Sequence, residues 1–84
     1  MNYTPTKEDI KEWFEEAVEN NCTHMIVACD TYDYEDFPIF VNKEQDVNVV
    51  IKNNNGVNMQ RIMEVYKMSM DKDEQLNTYR VWNI

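Results

Sequence analysis

The sequence predicts an α+β domain in which helices pack on a small three-stranded sheet. The chain has 84 residues, of which 43% are hydrophobic, and this suits one domain with one core. Apolar residues recur at helical spacing near the amino terminus, and a short unbroken apolar run follows them. We therefore expect a single domain over residues 1–84 with the element order α-β-β-α-β-α.

Residues 5–20 predict the first helix, because their apolar residues recur at spacings of three and four and so share one face. These apolar residues are Ile10, Trp13, Phe14, Ala17 and Val18. Thr4 suits the N-cap, and Pro5 suits the first helical position. The opposite face is acidic, and we interpret it as a solvated surface.

Residues 23–30 predict the central strand. The apolar run from Met25 to Cys29 is uninterrupted, which is typical of a strand covered on both faces. A second strand is expected at residues 38–41, where Pro38, which has no N–H group, occupies the first position. His24 lies at the start of the central strand, and we interpret it as a hydrogen-bonded boundary residue rather than a catalytic group.

The second half of the chain predicts a helix, a strand and a short final helix. Residues 42–45 have a capping-box pattern, so the second helix is expected to begin there and to reach about Asn53, with Val47, Val50 and Ile51 facing inward. Residues 59–70 suit a helix or a strand, and we favour a strand because two short strands alone make an unstable sheet. A second capping box at residues 71–74 predicts the final helix. Its expected core residues are Leu76, Tyr79 and Trp82.

The strand order follows from the connections between the elements. If the second and third strands run parallel through a right-handed helical crossover, the third strand lies beside the first. The most apolar strand is then in the middle, and the predicted spatial order is 2-1-3.

The formal net charge is −8, from 16 acidic and 8 basic residues, and it argues against binding to duplex nucleic acid, which depends on Lys and Arg. No segment approaches the roughly 18 apolar residues of a membrane span, and the amino terminus lacks a signal peptide pattern. We therefore expect a soluble cytoplasmic protein without a membrane partner. That compartment is reducing, so we expect no disulfide between Cys22 and Cys29. With His24 they make an incomplete zinc ligand set, so we expect no metal, and we expect no cofactor.

The segment DTYDYED at residues 30–36 joins the first two strands and combines four carboxylates with two tyrosines and a threonine. A calcium loop is disfavoured because tyrosines occupy ligand positions and no glycine is present. A magnesium-dependent phosphoryl enzyme is disfavoured because no phosphate loop, nucleophile or general base accompanies the carboxylates. Two interpretations stay open. The segment recognises bases and sugars, or it is an acidic hairpin loop that bonds its own backbone and whose tyrosines cover the first helix, and spacing slightly favours the second.

Arg61 and Arg80 are the two arginines of the chain, and Arg61 lies in an otherwise apolar segment. A guanidinium in such a place suits bidentate capture of a phosphate. It suits equally an ion pair with Glu64 or with an acid of the segment 30–36. The sequence leaves both interpretations open.

The segments THMIVACDTYDYEDFPIFV, NMQRIMEVYKMS and DEQLNTYRVWNI resemble a widespread group of small phage-encoded proteins, over nearly the whole chain. The group is similar to the anti-CBASS sponge proteins, which bind cyclic oligonucleotide alarm signals such as cyclic GMP-AMP. The resemblance implies an immune-evasion protein of the host bacterial cytoplasm that sequesters these messengers without cleaving them, and so is not an enzyme. It also implies a homo-oligomer with ligand pockets at or near subunit contacts. The implied ligand-binding residues are Thr31, Tyr32, Asp33 and Tyr34 for base or ribose, and Gln60 and Arg61 for phosphate or a base edge.

A second functional class stays open, namely an acidic protein-binding inhibitor of a host defence or nucleic-acid enzyme. The negative charge of the chain favours this class. The Thr-Tyr-Asp-Tyr loop and the quoted segments favour the sponge. The sequence does not name the bases or the linkage of the ligand, or the number of subunits.

Overall fold

The computed structural model describes residues 5–84, which form three helices and one three-stranded sheet. The elements are α1 (Lys7–Glu19), β1 (Cys22–Asp30), β2 (Glu35–Asn42), α2 (Val47–Asn54), β3 (Gln60–Lys67) and α3 (Lys72–Leu76). The predicted fold class and element order are confirmed, and the choice of a strand within residues 59–70 is correct. Within residues 5–84, no helix has both the length and the apolar character that a membrane span requires.

β1 is the central strand, and it pairs antiparallel with β2 on one edge and with β3 on the other. β2 and β3 therefore run in the same direction, and the predicted order 2-1-3 is confirmed. The outer edge of β3 is partly covered by the end of the chain. The N–H of Val65 donates to the carbonyl of Val81 at 3.0 Å, and the N–H of Asn83 donates to the carbonyl of Val65 at 3.0 Å.

The unbroken apolar run of β1 is explained by burial on both faces of the sheet, since successive side chains of a strand point to opposite faces. On the face covered by α1 and α3, here called the α1 face, the buried residues are Phe14, Ala17, Met25, Val27, Tyr66 and Val81. On the face covered by α2, here called the α2 face, they are Ile26, Ala28, Val41, Val47, Ile62 and Val65. The domain thus has two small cores that share one strand.

Two helices begin later in the chain than predicted. α1 has Thr6 as its N-cap, because the Thr6 hydroxyl accepts a hydrogen bond from the N–H of Asp9 at 3.2 Å and the Asp9 carboxylate accepts one from the N–H of Thr6 at 2.9 Å. The predicted N-cap, Thr4, lies outside the described residues. α2 has Asp46 as its N-cap, and the Asp46 carboxylate accepts a hydrogen bond from the N–H of Asn48 at 2.8 Å.

The capping-box pattern at residues 42–45 closes a turn rather than starting a helix. The Gln45 side chain accepts a hydrogen bond from the N–H of Asn42 at 3.0 Å, as a capping box requires. Asn42, however, is still paired with Cys22 as the last residue of β2. β2 is also longer than predicted, because its pairing with β1 continues to Glu35, opposite Asp30.

The predicted core positions near the carboxyl terminus are partly wrong. Leu76 packs against the core of the α1 face as predicted, but Tyr79 is 84% exposed and Trp82 is 45% exposed. Val81 is buried in their place. The last residues run beside β3 as extended chain, with Trp82 paired with Val65. Neighbouring side chains of an extended chain point in opposite directions, so Val81 points away from Trp82 and into the core of the α1 face.

Candidate functional site

The predicted recognition loop is a tight turn between β1 and β2. The Asp30 carboxylate accepts hydrogen bonds from the N–H of Tyr32 at 2.8 Å and from the N–H of Asp33 at 3.4 Å. The N–H of Tyr34 donates to the Asp30 carbonyl at 2.6 Å. This bonding is that of an acidic hairpin loop, but Tyr32 and Tyr34 are 73% and 63% exposed, so neither ring covers α1.

Thr31 connects this turn to the segment that precedes β3. Its N–H and its hydroxyl both donate to the carbonyl of Met59, at 2.7 Å and 2.9 Å. In the sheet, Gln60 pairs with Asp30, and Arg61 is one position further along β3. The structure therefore places all six expected ligand-binding residues at one end of the sheet.

A cleft of about 520 Å³ lies on the α1 face near this end of the sheet. Its charged and aromatic side chains are Asp36, Arg61, Glu64, Tyr79, Arg80 and Trp82. Of the six expected ligand-binding residues, only Arg61 lines the cleft. Thr31, Tyr32, Asp33, Tyr34 and Gln60 lie outside it.

An irregularity in β3 places Arg61 and Glu64 on the same face of the sheet. Ile62 and Glu64 pair with adjacent residues of β1, and Met63 between them has no partner in that strand. In a regular strand, residues three positions apart point to opposite faces, whereas the extra residue of a β-bulge restores them to one face. Arg61 and Glu64 consequently both line the cleft on the α1 face. Ile62 and Val65 both lie in the core of the α2 face, although part of Ile62 also borders the cleft.

Neither arginine of the cleft is neutralised by a carboxylate. Within residues 5–84, the ion pair that forms joins Lys72 to Glu15 at 3.3 Å, and neither Arg61 nor Arg80 forms one. The ion pair of Arg61 that the sequence left open is therefore not present. The guanidinium carbon of Arg80 lies 5.2 Å from the centroid of the Tyr79 ring, in a cation–π arrangement.

The backbone of Arg80 is in the left-handed region, with a φ of +52°. Such a conformation is uncommon for a residue with a side chain and costs of the order of 1 kcal/mol, and it is found disproportionately at functional sites. At this position it turns the chain between α3 and the segment that covers β3. The strain thus lies in the same segment as three of the side chains that line the cleft.

Glu64 and Asp36 add hydrogen-bond acceptors to the cleft. The hydroxyl of Tyr66 donates to Oε1 of Glu64 at 3.1 Å, and no other hydrogen bond to this carboxylate forms within residues 5–84. Burial raises the pKa of Glu64 and the charge of Asp36 raises it further, whereas the Tyr66 hydrogen bond lowers it. Burial also raises the pKa of the Tyr66 phenol, with a further contribution from Glu64, so the hydroxyl stays a donor at neutral pH.

His24 lies away from the cleft, at the opposite end of β1, where it pairs with Lys67. It is 7% exposed, and its Nδ1 lies 2.9 Å from the Thr23 hydroxyl, as expected of a hydrogen-bonded boundary residue. Its Nε2 has no hydrogen-bond partner within the described part of the chain. Burial lowers the pKa of His24, and the charge of Lys67 lowers it further.

Metal-ligating side chains are not gathered anywhere in residues 5–84, since no group of three or more His, Cys, Asp or Glu is placed to hold an ion. Cys22 and Cys29 are both free thiols at opposite ends of β1. Burial raises the pKa of the Cys29 thiol, and the neighbouring Asp36 raises it further. The chemistry that the cleft offers is therefore that of guanidinium, carboxylate and aromatic groups.

Sequence reasoning considered Glu64 only as an ion-pair partner of Arg61, and it missed three further side chains of the cleft. Tyr79 and Trp82 were assigned to the core, and Arg80 was noted but given no role. Their position depends on the return of the chain to the edge of β3, which no local pattern encodes. The sequence offers one indication of a role for Arg80, namely that it is one of only two arginines in a strongly acidic chain.

Comparisons with known proteins assign the chain to no family. No family model, no curated protein and no solved structure matches it.

Proposed function

We propose that the protein binds cyclic oligonucleotide second messengers in this cleft and sequesters them without cleaving them. The observation that carries the proposal is the presence of two unpaired arginines in one cleft of a chain with a net charge of −8. Carboxylates outnumber arginines eightfold in the chain, yet within residues 5–84 neither Arg61 nor Arg80 forms an ion pair with one. A phosphate group would satisfy such guanidinium groups through short charge-assisted hydrogen bonds.

The aromatic rings of the cleft support a ligand that carries a flat ring system as well as a phosphate. Tyr79 and Trp82 keep much of their surface exposed although both are large and partly apolar. Stacking of a base on an aromatic side chain contributes about 1–3 kcal/mol per base. A nucleotide carries both a phosphate, which the arginines would bind, and a base, which would stack on the aromatic rings.

The volume of the cleft suits a small ligand. Sites for small molecules usually enclose about 300–1,000 Å³, and the cleft of about 520 Å³ lies within that range. The cyclic character of the nucleotide comes from the resemblance of the sequence to anti-CBASS sponges. We propose that the protein acts in the cytoplasm of an infected bacterium, where it withholds the messenger from host effectors.

The exposed tyrosines of the β1–β2 turn fit an oligomeric form of this proposal. Tyr32 and Tyr34 lie outside the cleft but at the same end of the sheet as Arg61. In a homo-oligomer, the turn of one subunit would reach a ligand held by the cleft of its neighbour. Thr31 and Asp33 would then contribute hydrogen-bonding groups from that subunit.

Calorimetric titration of the purified protein with a panel of cyclic di- and trinucleotides tests the proposal. We expect at least one ligand to bind, and to raise the melting temperature, because a ligand at a hundred times its Kd stabilises a fold by about 2.7 kcal/mol. Denaturation after incubation with magnesium should return that ligand intact. Absence of binding across the panel would refute the proposal, and release of linear product would refute sequestration without cleavage.

A second candidate function is inhibition of a host protein through the acidic surface of α1. The exposed side of this helix carries Glu12, Glu15, Glu16 and Glu19, and its last turn has no basic residue. This candidate predicts that charge-neutralising substitutions on α1 abolish the biological effect. The nucleotide proposal predicts that at physiological salt they leave equilibrium binding of the ligand nearly unchanged, since these side chains do not line the cleft and their charge is screened.

A further inference from the structure

Glu64 is a fixed hydrogen-bond acceptor in the cleft. Its Oε1 accepts from Tyr66, which is 2% exposed and whose ring packs edge-on against Phe14 with 6.1 Å between centroids. Tyr66 is therefore held by the core and in turn positions the Glu64 carboxylate. The rest of this carboxylate is unpaired, because no arginine and no lysine neutralises it within residues 5–84.

A carboxylate in a nucleotide site distinguishes bases by their donors. Guanine presents two neighbouring N–H donors on its Watson–Crick edge, the ring N1–H and the exocyclic amine, and a carboxylate accepts both. Adenine presents one donor beside the N1 lone pair, which a carboxylate repels. Matched bidentate contacts between a side chain and a base discriminate against the wrong base by about 1–3 kcal/mol, or about 5- to 150-fold.

We infer that Glu64 makes the cleft selective for guanine over adenine. This inference rests on the proposed function and specifies which base the site takes. Each part of a guanine nucleotide then has a partner in the cleft. Arg61 and Arg80 bind the phosphate, Tyr79 or Trp82 stacks on the base, and Glu64 accepts hydrogen bonds from its Watson–Crick edge.

Asp36 strengthens the same preference. It lines the cleft together with Glu64, so that two acceptors face any base that enters. In the absence of ligand, burial and the charge of Asp36 raise the pKa of Glu64 and so disfavour its ionised form. A ligand that donates two hydrogen bonds to the carboxylate offsets this cost, whereas a base that presents an acceptor adds to it.

The first test uses the unmodified protein and three ligands of equal charge. Cyclic di-GMP, cyclic di-AMP and cyclic di-IMP are titrated by calorimetry, since hypoxanthine differs from guanine only by the missing exocyclic amine. We expect cyclic di-GMP to bind about tenfold more tightly than cyclic di-AMP, with cyclic di-IMP between them. Equal affinity for the three, or binding of none, would overturn the guanine preference. The proposed function would fall only if the whole panel of cyclic di- and trinucleotides also failed to bind.

The second test changes the acceptor itself. Glu64→Gln keeps an oxygen for the Tyr66 hydroxyl but replaces the second acceptor by an NH₂ donor, which complements adenine. We expect the preference for cyclic di-GMP to fall by about tenfold or to reverse. Glu12→Gln, an exposed change on α1 with the same effect on net charge, should leave it intact. With circular dichroism confirming the fold, an unchanged preference in Glu64→Gln removes Glu64 from base recognition.

Discussion

Arg61 and Arg80 are the two basic side chains of the cleft, and like most charged residues within residues 5–84 they form no ion pair. Removing an unpaired guanidinium breaks no ion pair of the folded chain, so its loss should affect ligand binding far more than stability. We expect Arg61→Ala and Arg80→Ala each to weaken ligand binding by about tenfold or more, since a hydrogen bond to a charged group contributes roughly 1.5–3 kcal/mol. Calorimetry measures the affinity, and a melting curve of the same sample measures stability.

Lys52→Ala is the matched control, because it removes one positive charge from the exposed side of α2, outside the cleft. Its affinity should stay near that of the unmodified protein. If Arg61→Ala instead lowered the melting temperature and kept the affinity, Arg61 would be a structural residue. The 31–34 turn would then be the remaining candidate for ligand contact.

His24 gives the stability of the protein a pH dependence of known sign. The pKa of His24 is lowered in the folded state, so below about pH 6.5 the unfolded chain binds more protons than the folded one. The free energy of unfolding therefore keeps its full value above that pH. Below it, this free energy falls by at most about 1.4 kcal/mol per pH unit, the limit for one proton. Denaturant unfolding at several pH values between 7.5 and 5.5 measures the fall.

His24→Phe should remove this fall, because the aromatic ring is kept and the titrating nitrogens are lost. At pH 7 the substitution should cost about 1 kcal/mol or less. The Nε2 atom that it removes has no partner within residues 5–84, and the Thr23 hydroxyl, which loses Nδ1, keeps the Val41 carbonyl at 3.3 Å. The difference between the two proteins isolates His24, the one histidine of the chain. Parallel pH curves for both would show that the burial of His24 carries no protonation cost.

At the level of the elements, Met63 is the extra residue of the bulge in β3. Met63 has no partner in β1 and is 42% exposed. Deleting it leaves a regular strand in which Arg61 and Glu64 still point to the α1 face and Ile62 and Val65 still point to the α2 face. We expect the deletion variant to fold with a melting temperature within a few degrees of the unmodified protein, as measured by circular dichroism.

Deletion of Val65 is the matched control for that experiment. It also yields a regular strand, but one in which Glu64 replaces a buried side chain on the α2 face. An unpaired charge in a core costs roughly 3–5 kcal/mol, so this variant should be strongly destabilised or unfolded. Equal stability of the two deletion variants would show that the register of β3 is not fixed by this alternation.

The sequence predicts some elements of this fold correctly and misplaces others. The continuous apolar run of β1 predicts that the strand is buried on both faces of the sheet. The order 2-1-3 follows from the helical crossover between the second and third strands. The start of α2 was misplaced because residues 42–45 form the hydrogen bond of a capping box while the strand is still paired. Of the residues that line the cleft, only Arg61 was predicted from the sequence to bind ligand. Tyr79, Arg80 and Trp82 reach the cleft because the chain pairs with β3 at a residue that is distant in sequence, and no local pattern predicts such a pairing.

At the level of the whole molecule, the cleft carries positive groups on a domain with a net charge of −8. The domain measures 32 × 27 × 21 Å, which is comparable to the screening length of about 30 Å at 0.01 M salt and well above that of about 8 Å at 0.15 M. An approaching anionic nucleotide therefore meets the repulsion of the whole domain at low salt. At physiological salt it meets chiefly the local charges of the cleft, which are the two arginines and the carboxyl groups of Asp36 and Glu64.

We therefore expect the association rate of a cyclic dinucleotide to rise several-fold between about 0.01 M and 0.15 M salt, opposite to binding steered by a cationic surface. Stopped-flow fluorescence measures this rate. A variant with Glu12→Gln, Glu16→Gln and Glu19→Gln on the exposed side of α1 reduces the net charge from −8 to −5. It should bind faster at low salt and show a weaker salt dependence, with an unchanged dissociation rate because the contacts in the cleft are the same. An association rate that falls with salt would mean instead that the arginines of the cleft dominate the field of the domain even at long range.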